Sequence, residues 1–404
     1  MLLGIFSDSH LGFGSDDRFE EAFARFKESI RIFKERNADY LLHAGDLFDS
    51  AVPEQEVWKK TFECFNENNS KYSTLQKCQL SGSSEVCVKG IPIIAIHGTH
   101  EFRGKDFTNA IAILEEANCL VHLHAGSIGL EKNGEKVFIH GMGGVPEKHA
   151  KDALEKYSPK PIQNSTNLLL LHQSFKEFLP FDDDEMIATL SLSDLPDGFD
   201  LIVDGHLHWK DEQVIGEKKF LLAGSSIFTQ MKHLESQREK GVFLFDTKSK
   251  KLEFIPFKNQ RKLFYAKFDF KNALPEEVVA TVNAKINECL SSATFETKPL
   301  VRLKICGTLA KGFTQSDVSI VLPNNAIFSV SKNLSVDSFE KKIESLKAAH
   351  LEKKSVTDFG IDLLEKNVDE AGLKEFDTRR LFDLLSIGEN EKAESVLINA
   401  QKVV

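Results

Sequence analysis

MLLGIFSDSHLG, residues 1–12, is the stretch on which the fold turns. Its apolar run Leu2–Ser7 reads as a strand, and the chain passes straight from it into Asp8 and His10. Runs of the same kind recur at Tyr40–Leu42, Ile91–Ile96, Val137–His140, Asn167–Leu171, Leu201–Val203, Phe220–Leu222 and Val242–Phe245. Several are apolar at consecutive positions, as strands covered on both faces are. Between the first two, Phe19, Ala22, Phe23, Phe26, Ile30 and Phe33 recur at three- and four-residue spacings, which predicts a helix packed on a sheet. Strands alternating with helices give an α/β class. Ser70–Glu85, polar with a Ser/Gly cluster, reads as a surface loop.

The chemistry gathers where these strands end. Asp46 follows the second strand in His-Ala-Gly-Asp-Leu-Phe-Asp, and Gly98-Thr99-His100-Glu101 follows the third. His172 follows Leu168–Leu171, and Gly205-His206-Leu207-His208 follows Leu201–Val203. Open α/β sheets place ligands beyond the carboxyl ends of their strands, and five strands deliver Asp or His there. Each fragment alone is commonplace; the ordered set of five is not. Mixed Asp and His donors suit Mn, Fe or Zn, whereas an all-oxygen set would favour Mg or Ca. His43, His97, His122, His124, His140, His149, His233 and His350 fall outside the set and read as structural or surface residues.

The order Asp-x-His, Gly-Asp, Gly-Thr-His-Glu, His, Gly-His-x-His resembles the calcineurin-like metallophosphoesterase superfamily. Within it, the spacing, the Gly-Asp-Leu-Phe-Asp phrase and the overall layout resemble the SbcD-type double-strand-break repair nucleases of prokaryotes. The resemblance implies a four-layer α-β-β-α sandwich over residues 1–260, a small α+β capping and DNA-binding domain over 261–345, and a helical tail over 346–404 that binds an ATPase. It implies two divalent metal ions, Mn2+ foremost. Asp8, His10, Asp46 and His208 would hold one, and Asp46, His172 and His206 the other. Thr99 and Glu101 stand where the superfamily has Asn and Asp, so the second site would be weaker, rely on water or recruit Glu101. His100 matches the histidine that stabilises the transition state or protonates the leaving oxygen, oriented by a carboxylate. The implied activity is exonucleolytic and endonucleolytic cleavage of DNA without sequence preference. The implied partners are a coiled-coil, SMC-like ATPase and a second copy, joined through helices of the first third.

Composition bounds this reading. The 404 residues carry 61 acidic and 51 basic side chains, a net charge of −10, which excludes an indiscriminate polycationic coat for nucleic acid. The balance is uneven: −12 over residues 1–200, +6 over 201–350 and −4 over 351–404. The basic segment includes Arg261, Lys262, Lys267, Lys271, Lys298, Arg302 and Lys304, candidates for phosphate contacts. With 32 Phe the chain is too apolar for disorder. No apolar run approaches the roughly 18 residues of a membrane span. The start lacks a basic n-region, so no signal peptide is read. Six cysteines without a CxxC pair fit a reducing, cytoplasmic setting.

Beyond residue 260, Leu263–Phe270 and Leu300–Ile305 read as strands, and Pro275 opens a helix carrying Val278, Val282 and Ile286. Lys332–Lys354 reads as a charged helix or linker. Two short amphipathic helices close the chain, one with Leu381, Leu384 and Leu385, the other with Ala393, Val396, Leu397 and Ala400, separated at Gly388. Two other functions share the same donor residues: a phosphatase or phosphodiesterase for nucleotides and small phosphoesters, and a non-catalytic scaffold with a weakened second site.

Overall fold

The structure, a computed structural model, describes residues 1–67, 72–79, 82–104, 107–179, 190–216, 218–336, 361, 364–365 and 378–386. In chain order the first part runs β1 (Leu2–Phe6), α1 (Asp16–Glu35), β2 (Tyr40–Ala44), α2 (Gln55–Asn66), β3 (Tyr72–Gln79), β4 (Gly82–Lys89), β5 (Ile93–Ile96), α3 (Ala110–Glu116) and β6 (Val121–His122). It continues with β7 (Gly126–Lys132), β8 (Glu135–Gly141), α4 (Ala150–Tyr157), β9 (Thr166–Leu171), β10 (Leu201–Asp204), β11 (Asp211–Ile215), β12 (Lys218–Leu222), α5 (His233–Ser236), β13 (Gly241–Asp246) and β14 (Lys251–Pro256). All eight runs read as strands are strands. Two sheets result, ordered β14-β13-β1-β2-β5-β6 and β11-β12-β10-β9-β8-β7-β3-β4.

Alternation along the strands divides the apolar side chains among three cores. Leu3, Ile5, Leu42, Ile94 and Ile96 of the first sheet meet Ile128, Val137, Ile139, Leu168, Leu170, Leu201 and Val203 of the second, face to face. The other face of the first sheet packs Phe6, Leu41, Ile93 and Ala95 against Phe23, Phe26, Ile30 and Phe33 of α1, with Val57 of α2 and Leu114 of α3. The other face of the second packs Leu169, Leu171, Ile202, Phe220 and Leu222 against Ala150 and Leu154 of α4 and against Phe175 and Phe178. Strands apolar at every position thus serve two cores at once, and the layers run α-β-β-α.

The described residues of the Ser70–Glu85 stretch are strand, not loop. β3 and β4 pair antiparallel there, Tyr72 opposite Lys89 and Gln79 opposite Gly82, and β3 joins the second sheet through β7. Leu75, Lys77, Val86 and Val88 turn inward; the other face is polar and solvated, which hid the strands. Lys77 is buried because its ammonium rests on both Glu115 carboxylate oxygens at 2.7 Å and on the His122 carbonyl at 3.1 Å.

Further along lie β15 (Leu263–Ala273), α6 (Pro275–Ser291), β16 (Leu300–Leu309) and β17 (Ile327–Val336), the three strands forming one sheet in that order. Pro275 occupies the first turn of α6, Glu277 accepts from the Leu274 amide at 3.0 Å, and Val278, Val282, Ile286 and Cys289 form the buried face. Lys332–Val336 belong to β17, not to a linker, and the remainder of 332–354 lies outside the described residues. Of the tail, Thr378–Ser386 is a helix with Leu381 buried, Leu384 half-buried and Leu385 exposed. The second tail helix and Gly388 lie outside the described residues. Arg261 is no phosphate contact: it is buried, with Nε on Glu21 at 2.8 Å and a second nitrogen on the Lys298 carbonyl.

The chain divides into two compact units. One holds Met1–Tyr265, Ala293–Arg302 and Asn325–Ile327; the other holds Ala266–Ser292, Leu303–Asn324 and the described residues of Phe328–Val404.

Close packing of α1 on β1 depends on Gly4, where an added Cβ would lie 2.5 Å from the Phe33 ring and 2.8 Å from Leu41. Phe33 and Leu41 are fully buried and cannot give way. Gly4→Ala is therefore expected to lower stability by about 1–3 kcal/mol in urea unfolding, the usual penalty of an overpacked core. An unchanged midpoint would refute this packing.

Candidate metal centre

The centre forms where the first sheet meets the second at their carboxyl ends. Beyond the strands, the loops after β1 and β2 stay hydrogen-bonded: Asp8 N to Gly45 O at 3.0 Å, His10 N to Asp46 O at 3.1 Å and Leu11 N to Leu47 O at 2.8 Å. This holds Asp8, His10 and Asp46 in left-handed backbone, with φ of 48°, 46° and 51°. Such conformations are costly for non-glycine residues and persist only where the surroundings over-determine them. His206, φ 74°, is held likewise, its amide donating to the Asp8 carboxylate at 3.1 Å. Gly98 allows the closest approach; a Cβ there would sit 2.0 Å from Asp46 Oδ1.

Three groups of possible donors arise among the described residues, of which one, His10, Asp49 and His100, shares His10 with the group it borders. Asp8, His10 and His208 form the first, all fully buried. His10 Nε2 lies 3.2 Å from His208 Nε2, and the two are 4.0 and 3.7 Å from Asp8 Oδ1. Each ring is turned inward by a bond at its other nitrogen: His10 Nδ1 to Asp49 Oδ1 at 3.1 Å, and His208 Nδ1 to the Thr229 hydroxyl. A carboxylate only accepts, so His10 carries its hydrogen on Nδ1 and, when neutral, aims the lone pair of Nε2 inward. Burial, then His10 and Lys240, hold the His208 pKa well below the ordinary range, keeping that ring neutral.

Asp46, His172 and His206 form the second set. His172 Nδ1 donates to Ala44 O at 2.7 Å, leaving Nε2 3.1 Å from Asp46 Oδ2 and without a hydrogen bond. His206 is more open, with Nδ1 3.5 Å from the Thr99 hydroxyl and Nε2 3.3 Å from Glu147. Burial alone would raise the pKa of Asp46; the adjacent His172 charge outweighs it and holds the carboxylate ionised. Burial likewise opposes ionisation of His172, but Asp46 and then Asp8 push it up to about 10. Imidazole nitrogens tied back at their far side, converging with two buried carboxylates, fit a transition-metal cation of the Mn, Fe or Zn kind.

His100 stands at the mouth, 42% exposed. Its amide donates to Asp46 Oδ1 at 2.8 Å, its Nδ1 to the Asp49 carbonyl at 2.7 Å, and its Nε2 is 4.0 Å from Asp46 Oδ2. Glu101 neither orients it nor enters a donor set. That carboxylate is fully buried and accepts from the Phe48 and Gly98 amides, both at 2.6 Å, bracing one loop on the other. Burial, then Asp46, push its pKa up to about 8. The Thr99 hydroxyl faces His206 of the second set. Sequence reasoning passed over Asp49, which lay inside the quoted Gly-Asp-Leu-Phe-Asp phrase. It could not find Thr229 or Glu147, which reach the centre from distant, unmarked segments.

Carboxylates and imidazoles presented by two facing sheets define a metal-dependent hydrolase. More narrowly, the chain belongs to the calcineurin-like phosphoesterase family, whose profile matches residues 1–210. It is similar to proteins named DNA double-strand break repair protein Mre11. The one from Sulfolobus acidocaldarius is 24% identical over 400 residues, covering 97% of this chain and 96% of that protein. The one from Thermoplasma acidophilum is 27% identical over 343 residues, 81% and 82% of the two chains. The human double-strand break repair protein MRE11 is 25% identical over 362 residues, 74% of this chain and 50% of its own length.

Beside the centre, His97, His122 and His124 form a separate cluster: His97 Nδ1 meets His122 Nε2 at 2.9 Å, and the His97 and His124 rings stand 4.7 Å apart. Burial, then His124 and Lys77, lower the His122 pKa from 6.5 to about 3. The unfolded chain takes up this proton near pH 6.5 and the folded one does not, so the contribution to stability is complete above 6.5 and is lost as pH falls toward 3. Urea midpoints should therefore fall less steeply from pH 7 to pH 4 in His122→Gln than in the wild type. Equal slopes would contradict the burial of a neutral ring.

Proposed function

We propose that this chain is a DNA nuclease of double-strand-break repair, hydrolysing phosphodiester bonds with two Mn2+ ions and working with a coiled-coil ATPase. The observation that carries the reading is the pair of donor sets, linked where the His206 amide meets the Asp8 carboxylate, with His100 exposed beside them. The names of the similar proteins support DNA as substrate.

In this reading Asp8, His10, Asp46 and His208 hold one cation, and Asp46, His172 and His206 the other. Bound there, the cations would acidify a water and neutralise charge developing on the phosphate. His100 is the residue for the leaving group. Its Nδ1 hydrogen is committed to the Asp49 carbonyl, so the proton it moves is on Nε2, the edge that faces the cleft. Thr99 occupies a position from which a hydroxyl, a poorer donor than an amide carbonyl, faces the second set.

Lys267 and Lys271 of β15, with Arg302 and Lys304 of β16, are basic residues suited to phosphates, and no base-reading motif accompanies them. The Thr378–Ser386 helix, with an exposed Leu385, is placed in this reading on the ATPase, and helices of the first third on a second copy. Six free cysteines suit a cytoplasmic setting, and among the described residues no helix is long and apolar enough to cross a membrane.

Purified protein with Mn2+ should degrade end-labelled duplex DNA more readily than a small chromogenic phosphodiester. His100→Asn should lower DNA cleavage by about 10²–10⁴-fold, the usual worth of a positioned acid, while sparing Mn2+ binding. Loss of the metal as well would remove His100 from this role. Cleavage of the small diester alone would favour a small-phosphoester enzyme, and cleavage of neither a scaffold. Calorimetric titration with Mn2+ should resolve one tight and one weak site, and Thr99→Asn should tighten the weak one; two equally tight sites in the wild type would dismiss the assignment of Thr99.

A further inference from the structure

His208 is held from behind by a buried pair of opposite charges. Lys240, 5% exposed, extends its ammonium to the His208 carbonyl at 2.6 Å, the Ser225 hydroxyl at 2.7 Å and Glu235 Oε1 at 2.9 Å. An ammonium has three hydrogens, and each finds an acceptor. Glu235, fully buried, offers the same Oε1 to the Thr229 amide at 3.2 Å. Thr229 in turn sets its hydroxyl against His208 Nδ1. Two lines therefore run from the pair to one residue: from Lys240 to its backbone, and from Glu235 through Thr229 to its ring.

Lys240 is itself fixed. Its amide donates to Gln260 Oε1 at 2.7 Å, and its carbonyl accepts from Gln260 Nε2 at 2.8 Å and from the Phe257 amide at 3.0 Å. The segment that carries Thr229 is fixed as well: the Ser226 amide donates to the Asp8 carbonyl at 3.2 Å, and Arg18 donates to the Phe228 carbonyl. Stability alone does not call for the pair. Burying two charges costs about as much as their attraction returns, and well-packed apolar residues of like volume often serve a fold equally well. The Phe228 ring, 4.8 Å from the ammonium, already offers apolar packing there. What apolar side chains cannot do is donate to the His208 carbonyl or accept from the Thr229 amide.

We infer that Glu235 and Lys240 are positioning residues for His208, Lys240 holding its backbone and Glu235 holding, through Thr229, the direction of its ring. The inference rests on the reading of His208 as a metal ligand. For Nε2 to keep its lone pair for a cation, the ring hydrogen sits on Nδ1, and the Thr229 hydroxyl is the acceptor that receives it. Partners of this kind orient a ligand and raise its basicity, and their loss commonly costs about 10–100-fold in metal affinity. A purely structural ion pair would leave that affinity untouched once the fold is restored, so the two roles separate experimentally.

The test uses the full chain as wild type, His208→Ala, Thr229→Val, Thr229→Ser and the double variant Glu235→Leu/Lys240→Met. Each is titrated with Mn2+ by calorimetry, and the metal-free proteins are followed by thermal unfolding and ¹⁵N-imidazole NMR. His208→Ala should lose the tight site, which establishes the ligand reading on its own. The double variant removes both charges at once, so it should melt near the wild type while its tight site weakens about 10–100-fold. Thr229→Val, which leaves the charges paired, should weaken the same site and shift His208 from the Nδ1–H form to a tautomer mixture; Thr229→Ser should restore both. Wild-type affinity in the double variant, with His208→Ala defective, would overturn the inference alone. Should the double variant not fold, Thr229→Val decides: wild-type affinity and an unchanged His208 tautomer there would overturn it equally. Failure of the wild type to take up Mn2+ would overturn it together with the metal reading.

Discussion

Everything at the centre depends on the pairing of two loops beyond the ends of their strands. β1 and β2 are parallel neighbours, and their register does not stop at Phe6 and Ala44. Three further backbone bonds carry it through Asp8, His10 and Leu11. Those bonds offset the unfavourable left-handed conformations of Asp8, His10 and Asp46, each costing about 1–3 kcal/mol. They also decide where the side chains go. Asp8 and His10, two residues apart as on one face of a strand, both turn to the cleft. Glu101 extends the brace to the loop of His100 by accepting amides from both sides.

That brace concentrates negative charge. Asp8, Asp46 and Glu101 are all buried, and each would lose hydration on ionising. The outcomes diverge because the partners differ. Asp46 lies against His172 and accepts the His100 amide, and it stays ionised. Asp8 has the Ser7 hydroxyl and the His206 amide, and burial raises its pKa despite the histidines nearby. Protons alone satisfy this cluster poorly, since each one taken by a carboxylate removes a ligand. Divalent cations relieve the repulsion and keep every donor, which is why the donor chemistry fits a metal centre so well. Part of the −12 carried by residues 1–200 is therefore functional charge.

How much of this could be read from the chain follows from where the information lies. The strands that serve two cores were legible because burial on both faces forces apolar residues at consecutive positions, as in Leu168–Leu171. The β3–β4 hairpin was not, since one face is solvated and its composition is that of a loop. Asp8, His10, Asp46, His172, His206 and His208 were legible because strand ends are marked in sequence, and the fold brings those ends together. Arg261 was misread for the opposite reason: its partners, Glu21 and the Lys298 carbonyl, are 240 and 37 residues away. The resemblance implied a carboxylate orienting His100 without fixing its position, whereas the structure supplies the Asp49 carbonyl from another loop.

The two donor sets are also unequal in a way that composition hides. The first is closed: Asp8, His10 and His208 are buried, and both rings are tied back by Asp49 and Thr229. The second is half open. His206 is 23% exposed and leans on Glu147, itself 25% exposed and held by the Ser174 hydroxyl at 2.8 Å. Preorganisation lowers the cost of assembling ligands, so a closed set binds before an open one. In the proposed reading the substrate would then approach from the side of His206 and His100, the more open histidines of the centre, where a phosphate oxygen can complete what Thr99 supplies weakly. In that reading the weakness of Thr99 as a donor and the openness of its neighbours point the same way, to a second site finished by the substrate and not by the protein alone.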